Sequence, residues 1–310
     1  MSKLDYENSI TYFRGEWTPF ANANLSIASS PVLYGLSIYT VFNAIWNSET
    51  KQLNIFRLKD HYERLCNSAR IMDFANFEDS YSYAQFEKLM IELLDKNNVQ
   101  QEVLVRVTIF IDELVAGTKI HGLKNSLSAY VYPMGEILPR SGIKACVSSW
   151  TRAGDNTIPS RAKVNGQYVN ASLMKNEAIL NGYDEAIALD ASGHVSEGTV
   201  ANLFLVRDGK LITPDMATDI LEGITRNTIM QLADHLKIQH EQRPVDRTEL
   251  YIADEAFMCG SSAHITPILS IDKRQIGSGK PGQITSQLSE LYKQVQAGEI
   301  DNFTEWLTQA

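Results

Sequence analysis

Apolar side chains recur with helical spacing in two stretches of the first part of the chain. The stretches run from Leu58 to Met72 and from Tyr83 to Lys96, and their apolar residues lie three or four positions apart, on one face of a helix. We therefore predict two amphipathic helices. Their apolar positions are Leu58, Tyr62, Leu65, Ala69 and Met72 in the first, and Phe86, Leu89, Met90, Leu93 and Leu94 in the second.

Aromatic and β-branched residues dominate four other segments, which are predicted to be strands. The segment from Ile10 to Trp17 turns at Arg14-Gly15, and this predicts a hairpin. Together with the two helices, the strands predict an α/β domain in which helices cover a sheet. The other three strand segments are Ile38–Trp46, Val103–Ile111 and Leu127–Tyr132.

A segment rich in proline and glycine, from Pro133 to Gly142, is the best candidate for a linker. A strand is predicted after it, from Ile143 to Ser149, followed by helices that alternate with strands ending at Gly/Asp turns. We expect a small α/β domain at 1–132, a linker at 133–142 and a larger domain at 143–310. The helices of the larger domain span about Gln167–Leu180, Ile224–Leu236 and Thr285–Gln296.

The composition is that of a globular protein with room for two domains. The chain has 310 residues, of which 44% are hydrophobic and 21% charged. A formal net charge of -9 disfavours nucleic-acid binding, because phosphate contacts need a concentrated basic surface. The amino terminus lacks the apolar core of a signal peptide, and no stretch is long enough to span a bilayer. We expect a cytoplasmic protein without nucleic-acid or membrane partners.

Cysteines and histidines indicate neither a disulfide framework nor a metal site. Cys66, Cys146 and Cys259 are widely separated and show no CxxC spacing, and the six histidines include no HExxH motif. A GxGxxG run at 277–282 contains a proline and lacks the following strand and acidic residue of a dinucleotide site. We predict no metal and no dinucleotide cofactor.

Three residues of the second half have the chemistry needed to hold pyridoxal phosphate. Lys163 offers an amine for a Schiff base, Tyr168 a phenol for the ring oxygen, and Glu197 a carboxylate for the pyridine nitrogen. None is specific alone, since a lysine is usually a solvated surface residue and a glutamate after a hairpin is usually part of a turn. The prediction depends on their occurrence together.

The sequences around these residues resemble the fold-type IV pyridoxal-phosphate enzymes, the class IV aminotransferases, and above all the branched-chain amino acid aminotransferases. The similar segments keep the family's order and cover most of the chain. They are SSWTR at 148–152, NTIP at 156–159, RAKVNGQY at 161–168, NGYDEA at 181–186, HVSEG at 194–198, NLF at 202–204, LEGITR at 221–226 and ADEAFM at 253–258.

This resemblance implies a two-domain α/β (α+β) fold, with a small α/β sandwich domain and a larger pseudo-barrel domain. It implies pyridoxal 5′-phosphate as the cofactor, Lys163 as the catalytic residue, and amino transfer between branched-chain L-amino acids and 2-oxoglutarate. It also implies a homodimer or a higher homo-oligomer. Loops of the partner near Tyr34 or at 115–119 would complete each site.

A phosphate site is predicted where Gly223-Ile224-Thr225 precedes an apolar-periodic helix. Amides at a helix N-terminus bind anions, although the same Gly-x-Thr pattern is also a common cap. The resemblance adds Arg57 and Ser261 as phosphate ligands. The cofactor-binding positions that the resemblance implies are Arg57, Tyr168, Glu197, Leu221, Gly223, Ile224, Thr225 and Ser261.

Arg106 lies inside an apolar strand, where an unpaired guanidinium would be costly. From the residues alone, a strand arginine that reaches solvent explains it equally well. The resemblance assigns Arg106 to a substrate carboxylate, notably that of glutamate. It assigns other positions of the substrate pocket to Tyr34, Tyr39, Ser262 and Ala263.

Two segments depart from the branched-chain pattern. These enzymes usually have Phe-Glu-Gly where this chain has Tyr39-Thr40-Val41, and a tyrosine where it has Leu104. The Tyr-Thr-Val run is instead similar to the (R)-selective amine transaminases and to the D-amino acid group. The alternatives are therefore an (R)-amine or D-amino acid transaminase and, less favoured, 4-amino-4-deoxychorismate lyase. A binding module without catalysis would not explain why every group that the cofactor needs is present.

Overall fold

The structure is a computed structural model that describes residues 8–74, 77–133, 135 and 138–310. The chain forms two units, each with its own sheet. The first unit consists of Met1–Gly135, Ala162–Gly166 and Gln294–Ala310, and the second of Glu136–Arg161 and Gln167–Lys293.

Both units contain strands and helices. Among the described residues, no helix is long and apolar enough to cross a membrane. The elements up to residue 133 are β1 (Ile10–Phe13), β2 (Glu16–Pro19), α1 (Ser30–Tyr34), β3 (Ser37–Asn47), β4 (Gln52–Phe56), α2 (Leu58–Ile71), α3 (Phe77–Ser80), α4 (Tyr83–Lys96), β5 (Val103–Ile111) and β6 (Asn125–Pro133). Those that follow are β7 (Ile143–Thr151), α5 (Tyr168–Leu180), β8 (Glu185–Leu189), β9 (Val195–Gly198), β10 (Asn202–Arg207), β11 (Lys210–Thr213), α6 (Ile224–His235), β12 (His240–Gln242), β13 (Glu255–Gly260), β14 (His264–Ile271), β15 (Arg274–Gln275), α7 (Gln283–Ala297) and β16 (Leu307–Gln309).

An antiparallel sheet in the order β16-β4-β3-β5-β6-β1-β2 forms the framework of the first unit. The predicted hairpin is confirmed: β1 and β2 pair around Arg14 and Gly15, whose φ angles are 56° and 93°. On one face of the sheet, Phe42 of β3 and Val105 of β5 share a hydrophobic core with Met90 of α4. The predicted arrangement of helices over a sheet is therefore confirmed for this unit.

The opposite face of β3 and β5 carries Arg106 and three of the residues at which the sequence departs from the branched-chain pattern, Tyr39, Val41 and Leu104. Tyr39 and Val41 alternate with the core residues of β3, and Arg106 of β5 pairs directly with Val41. Leu104 is two positions from Arg106 and therefore on the same face, where it is fully buried. The register of the sheet thus gathers these four side chains on one surface.

A mixed sheet forms the framework of the second unit, with the main order β12-β11-β10-β13-β14-β7-β8-β9 and with β15 paired to β14. Two parallel pairs are joined through helices, β7 to β8 through α5 and β11 to β12 through α6. Parallel neighbours need such crossovers, because a tight turn cannot return the chain to the same end of the sheet.

The second sheet curls on itself. In a flat sheet, the five strand spacings between β10 and the edge strand β9 would amount to roughly 24 Å. The backbone from Gly198 to Asn202, which joins these strands, reaches only roughly 14 Å. The edge must therefore lie near β10, and the Gly198 N–H donates to the Ala201 carbonyl at 2.8 Å. The predicted α/β fold with a pseudo-barrel is confirmed.

The units differ from the predicted division of the chain in two places. Ala162–Gly166 and Gln294–Ala310 belong to the first unit, whereas the sequence assigns both to the domain at 143–310. β16 explains the second difference, because it pairs with β4 and joins the first sheet. Residues 134, 136 and 137 of the expected linker lie outside the described residues, and the linker remains a prediction.

Candidate active site

Lys163 lies in a short segment that is hydrogen-bonded to the other elements of the first unit. Its carbonyl accepts from the Tyr39 N–H at 3.0 Å, and its N–H donates to Oγ of Ser68 in α2 at 3.1 Å. The next residue, Val164, forms an isolated β-bridge with Ile38. Contacts from both β3 and α2 therefore fix the backbone of the residue predicted to react.

The Lys163 side chain is directed toward Tyr39. Its neighbours Ala162 and Val164 are buried in the core of the first unit. Successive side chains of an extended segment point in opposite directions, so Lys163 points away from that core. Its Nζ lies 4.8 Å from the centre of the Tyr39 ring.

Arg106 shares the Tyr39 ring with Lys163. Its guanidinium carbon lies 3.7 Å from the ring centre, and its Nη2 donates to Oδ1 of Asn165 at 2.6 Å. Cation–π contacts of this kind contribute about 0.5 to 2 kcal/mol. Within the described part of the chain, Arg106 forms no ion pair with a carboxylate. Its charge is therefore available to an anionic ligand.

Tyr34, a predicted pocket residue, ends α1 beside the Lys163 segment. Gly35 follows with a φ of 69°, and a Cβ at this position would come within 2.8 Å of Gly166 Cα. Both the left-handed conformation and the lack of space require glycine. The close approach places the Tyr34 backbone next to Gly166, while the Tyr34 side chain is exposed.

One face of α2 is polar and contacts β3. Arg57, His61, Arg64 and Ser68 follow one another at helical spacing. Arg64 Nη2 donates to Thr40 Oγ1 at 3.3 Å, and His61 Nδ1 shares a hydrogen bond of 2.7 Å with the same hydroxyl. Ser68 accepts the backbone N–H described above. The polar face of α2 therefore supports the segment that carries the reactive amine.

Arg57, a predicted phosphate ligand, is buried at the start of α2 with a left-handed φ of 54°. Its Nε and Nη2 donate to the Asp60 carboxylate, each at 2.7 Å. Its guanidinium lies 4.5 Å from the Trp306 ring centre, and its N–H donates to the Trp306 carbonyl at 2.7 Å. Positive φ in a residue other than glycine is strained, and such strain persists only where surrounding contacts enforce it. Asp60 and Trp306 supply those contacts.

His61 is buried among cations, which keeps it neutral. Burial lowers its pKa well below the ordinary value of 6.5, and the charges of Arg64, Lys163 and Arg57 lower that pKa further. Protonation of His61 would place an additional charge next to three positive ones. Folding therefore favours the neutral ring.

We expect the free energy of unfolding to decrease as the pH falls below 6.5, the ordinary pKa of the histidine in the unfolded chain. There the unfolded chain binds a proton that folded His61 does not, so acid favours unfolding. Between pH 7.5 and pH 5.5 the loss should be about 1 kcal/mol. Urea denaturation at both pH values measures it, and His61→Gln should remove this part of the pH dependence. The exposed His121 provides the control, because His121→Gln should retain the effect. Unchanged pH dependence in His61→Gln would contradict the prediction.

Glu197 of β9 is a buried carboxylate whose polar partners include Arg152, Asn202 and the Leu221 N–H. Its Oε1 lies 2.5 Å from Nη2 of Arg152. Its Oε2 accepts from Nδ2 of Asn202 at 2.8 Å and from the Leu221 N–H at 3.2 Å. A cation and N–H donors stabilise an ionised carboxylate. Glu197 therefore has the charge needed beside a protonated ring nitrogen.

Asn202 connects Glu197 to the segment that precedes α6. Its Nδ2 also donates to the Leu221 carbonyl at 3.1 Å. A Cβ on Gly223 would lie 1.8 Å from Asn202 Oδ1, so the site has room only for glycine. The predicted cofactor positions Leu221 and Gly223 thus depend on the same amide that supports Glu197.

The N-terminus of α6 is suited to a phosphate group. Gly223 is the N-cap and no side chain caps the helix, so its first N–H groups lack the partners that the rest of the helix has. Ile224 and Thr225 are the first two helical residues, and both are buried. Helix amides and the helix dipole both favour an anion at such a position.

The turn between β13 and β14 contains the remaining predicted ligands, Ser261, Ser262 and Ala263. Near the end of β13, Cys259 pairs with Asn202 of β10. The turn therefore lies at the end of the second sheet where Asn202 holds Glu197.

The predicted site residues fall into two groups, one in each unit. Their contacts involve three residues that the sequence did not predict to be functional: Arg152 and Asn202, which contact Glu197, and Asn165, which contacts Arg106. They lie within the segments that carry the family resemblance, but only their contacts identify their roles. The first unit holds Tyr34, Tyr39, Arg57, Arg106 and Lys163, and the second holds Tyr168, Glu197, Leu221, Gly223, Ile224, Thr225, Ser261, Ser262 and Ala263.

Residues 40–271 match the family model of the class IV aminotransferases. The match spans more than half of the chain, and the protein therefore belongs to this family of enzymes. Among its relatives, a probable branched-chain-amino-acid aminotransferase of Aquifex aeolicus is 41% identical over 305 residues, which are 98% of this chain and 97% of the relative. The branched-chain-amino-acid aminotransferase of Escherichia coli K12 is 35% identical over 312 residues, or 99% of this chain and 98% of the relative.

Solved structures show the same similarity in three dimensions. The branched-chain aminotransferase of Thermoproteus uzoniensis with norvaline has a TM-score of 0.92 and 35% identity, covering 97% of this chain and 99% of that one. The branched-chain amino acid aminotransferase of Thermobaculum terrenum in its PLP-form (holo-form) has a TM-score of 0.91 and 33% identity, covering 98% of this chain and 99% of the other.

Proposed function

We propose that the protein is a pyridoxal-phosphate-dependent aminotransferase that moves the amino group between branched-chain L-amino acids and 2-oxoglutarate. The observation that carries the proposal is that the Lys163 amine and the Arg106 guanidinium both contact the ring of Tyr39. Transamination of an acidic substrate needs a reactive amine and, within reach of it, a cation that binds the side-chain carboxylate of the substrate. The names of the full-length relatives support the same substrates.

The cofactor is supported by the chemistry of the donor set. Glu197 would bind the ring nitrogen and Tyr168 the ring oxygen. A relative has been solved in its PLP-form, which supports the identity of the cofactor. When bound, pyridoxal phosphate supplies an aldehyde that condenses with amines and a ring that accepts electrons. The phosphate would be held by Arg57, the amides of Ile224 and Thr225, and the hydroxyls of Thr225 and Ser261.

The residues of this chain would then have separate roles in the reaction. Lys163 would hold the cofactor through its Nζ and would also be the base that carries the proton away from the α-carbon of the substrate. Glu197 would keep a proton on the ring nitrogen, and its ion pair with Arg152 would favour the charged form of Glu197. Arg106 binds the second carboxylate of the dicarboxylic substrate.

A homodimer or a higher homo-oligomer in the cytoplasm is the remaining part of the proposal. Val32 and Leu33 of α1 are exposed apolar side chains next to Tyr34, and Leu114 is exposed at the start of the loop at 115–119. Apolar surface at the loops expected to complete a partner's site supports association between copies of this chain.

The proposed function is tested by half-reactions. The enzyme with its cofactor is mixed separately with L-leucine, L-isoleucine, L-valine, D-leucine and (R)-1-phenylethylamine, and the loss of the cofactor's aldehyde absorbance is followed. We expect the three L-amino acids to react fastest, with L-leucine at least roughly 100-fold faster than D-leucine. If D-leucine or the (R)-amine reacts faster than L-leucine, the alternative substrates are correct and the proposal is wrong.

A further inference from the structure

We propose that Asn165 is a positioning residue that holds Arg106 at the distal carboxylate of the oxo-acid acceptor, and so selects dicarboxylates. The inference rests on the proposed function. Arg106 has a long side chain that loses considerable freedom when it is held in one conformation. The sheet places only an apolar residue, Val41, directly opposite it. The Tyr39 ring contacts the guanidinium from within the sheet, but the hydrogen bond that orients its N–H groups comes from outside the sheet.

The Asn165 side chain provides this contact. Oδ1 accepts from Arg106 Nη2 at 2.6 Å, and Nδ2 donates to Ser37 Oγ at 2.8 Å. The guanidinium has only donors, so the amide must present its oxygen to Arg106. The bond to Ser37, which is buried at the start of β3, fixes the other end of the amide. The orientation of Asn165 is therefore determined chemically.

Asn165 also determines where Arg106 lies relative to the reactive amine. It is two residues from Lys163, in the segment whose backbone is bonded to β3 and α2. One short segment thus carries both the Lys163 amine and the Asn165 side chain that holds Arg106. A fixed separation between the two favours an acceptor with a second carboxylate at the matching distance, and is of no use to an oxo acid with an apolar side chain.

A neutral amide suits this role better than an acid would. Asn165 occupies one of the five N–H donors of Arg106 and leaves the positive charge uncompensated. An aspartate at this position would pair with the guanidinium and compete with the substrate carboxylate. Asparagine therefore holds Arg106 in position without neutralising its charge.

The test compares Asn165→Ala and Asn165→Asp with the wild-type holoenzyme. We expect KM for 2-oxoglutarate to rise about tenfold or more, as for the loss of a hydrogen bond to a charged group, and to rise further with aspartate. The half-reaction with L-leucine and KM for 4-methyl-2-oxopentanoate should change less than about twofold. The dissociation constant of glutarate, an unreactive dicarboxylate, should rise in parallel when measured by calorimetry.

The control is Asn97→Ala, which removes another side-chain amide of the first unit that is bonded at both ends, in this case to Ile10 and Leu93. It should leave both KM values unchanged. If the Asn165 variants do not fold, Ser37→Ala removes the contact that orients the amide and should raise KM for 2-oxoglutarate alone.

The outcomes separate this inference from the proposed function. Unchanged glutarate binding in the variants, or an equal rise of both KM values, would overturn the role of Asn165. If the wild type does not transaminate L-leucine, the proposed function fails. Glutarate binding by the wild type and the variants still decides whether Asn165 holds Arg106 at a carboxylate.

Discussion

Replacing Lys163 with alanine is expected to abolish transamination. The substitution removes the amine that is proposed both to hold the cofactor and to move the proton, while the backbone bonds of residue 163 to Tyr39 and Ser68 remain. Loss of the acid–base group alone should lower the rate of the half-reaction with L-leucine by about 10²- to 10⁴-fold. Stopped-flow absorbance measures this rate. Borohydride treatment followed by mass spectrometry detects the covalent attachment.

A matched control comes from Lys96, whose amine also lies over an aromatic ring of the first unit, 5.1 Å from the Trp17 ring centre. Lys96→Ala should retain the wild-type rate and the borohydride-stable attachment. A borohydride-stable adduct on the chain of Lys163→Ala would show that another lysine reacts, and the assignment would be wrong.

Glu197→Gln is expected to slow the half-reaction by about 10²- to 10³-fold, with a much smaller effect on cofactor affinity. The amide keeps the shape of the side chain but loses the charge that stabilises a protonated ring nitrogen, and removing one electrostatic group from an active site typically costs this much. Arg152 would also be left as a buried charge without its partner, which costs about 3 to 5 kcal/mol in unfolding free energy. Stopped-flow rates and urea denaturation measure the two effects separately.

Glu185→Gln separates catalysis from stability. Glu185 is likewise a buried carboxylate of the second unit, and it pairs with Lys175 at 3.1 Å. Its substitution should destabilise the protein and leave the half-reaction rate of the folded enzyme unchanged. A similar loss of rate in both variants would mean that Glu197 acts only through the fold.

The sequence predicts best the elements whose pattern is long enough to show a period. The helix at Tyr83–Lys96 and the strand at Val103–Ile111 are observed with the predicted bounds. α1, α3 and β4 have five residues or fewer, and segments of that length show no clear period. The sequence could therefore predict the class of fold but not every strand of the two sheets.

The contacts of the candidate site were less predictable than its residues. Lys163 and Glu197 could be proposed from their motifs, but nothing local indicates that Arg152 pairs with Glu197. Likewise, the sequence around Asn165 does not indicate that this residue contacts Arg106, because the contact depends on the register of distant strands. The chemistry of a side chain can be inferred from its residue type. Its position depends on contacts between residues that are far apart in the chain.

We expect the protein to become active during synthesis only after β16 can pair with β4. Trp306, just before β16, carries the carbonyl and the ring that hold Arg57. A ribosome makes these residues some 250 positions after Arg57 itself. Until they emerge, the edge of the first sheet at β4 is open and the strained backbone of Arg57 lacks this support. A nascent chain that already contains Lys163 and Glu197 would therefore still lack the contacts that hold Arg57, the proposed phosphate ligand, and cofactor binding should follow the synthesis of Trp306 and β16.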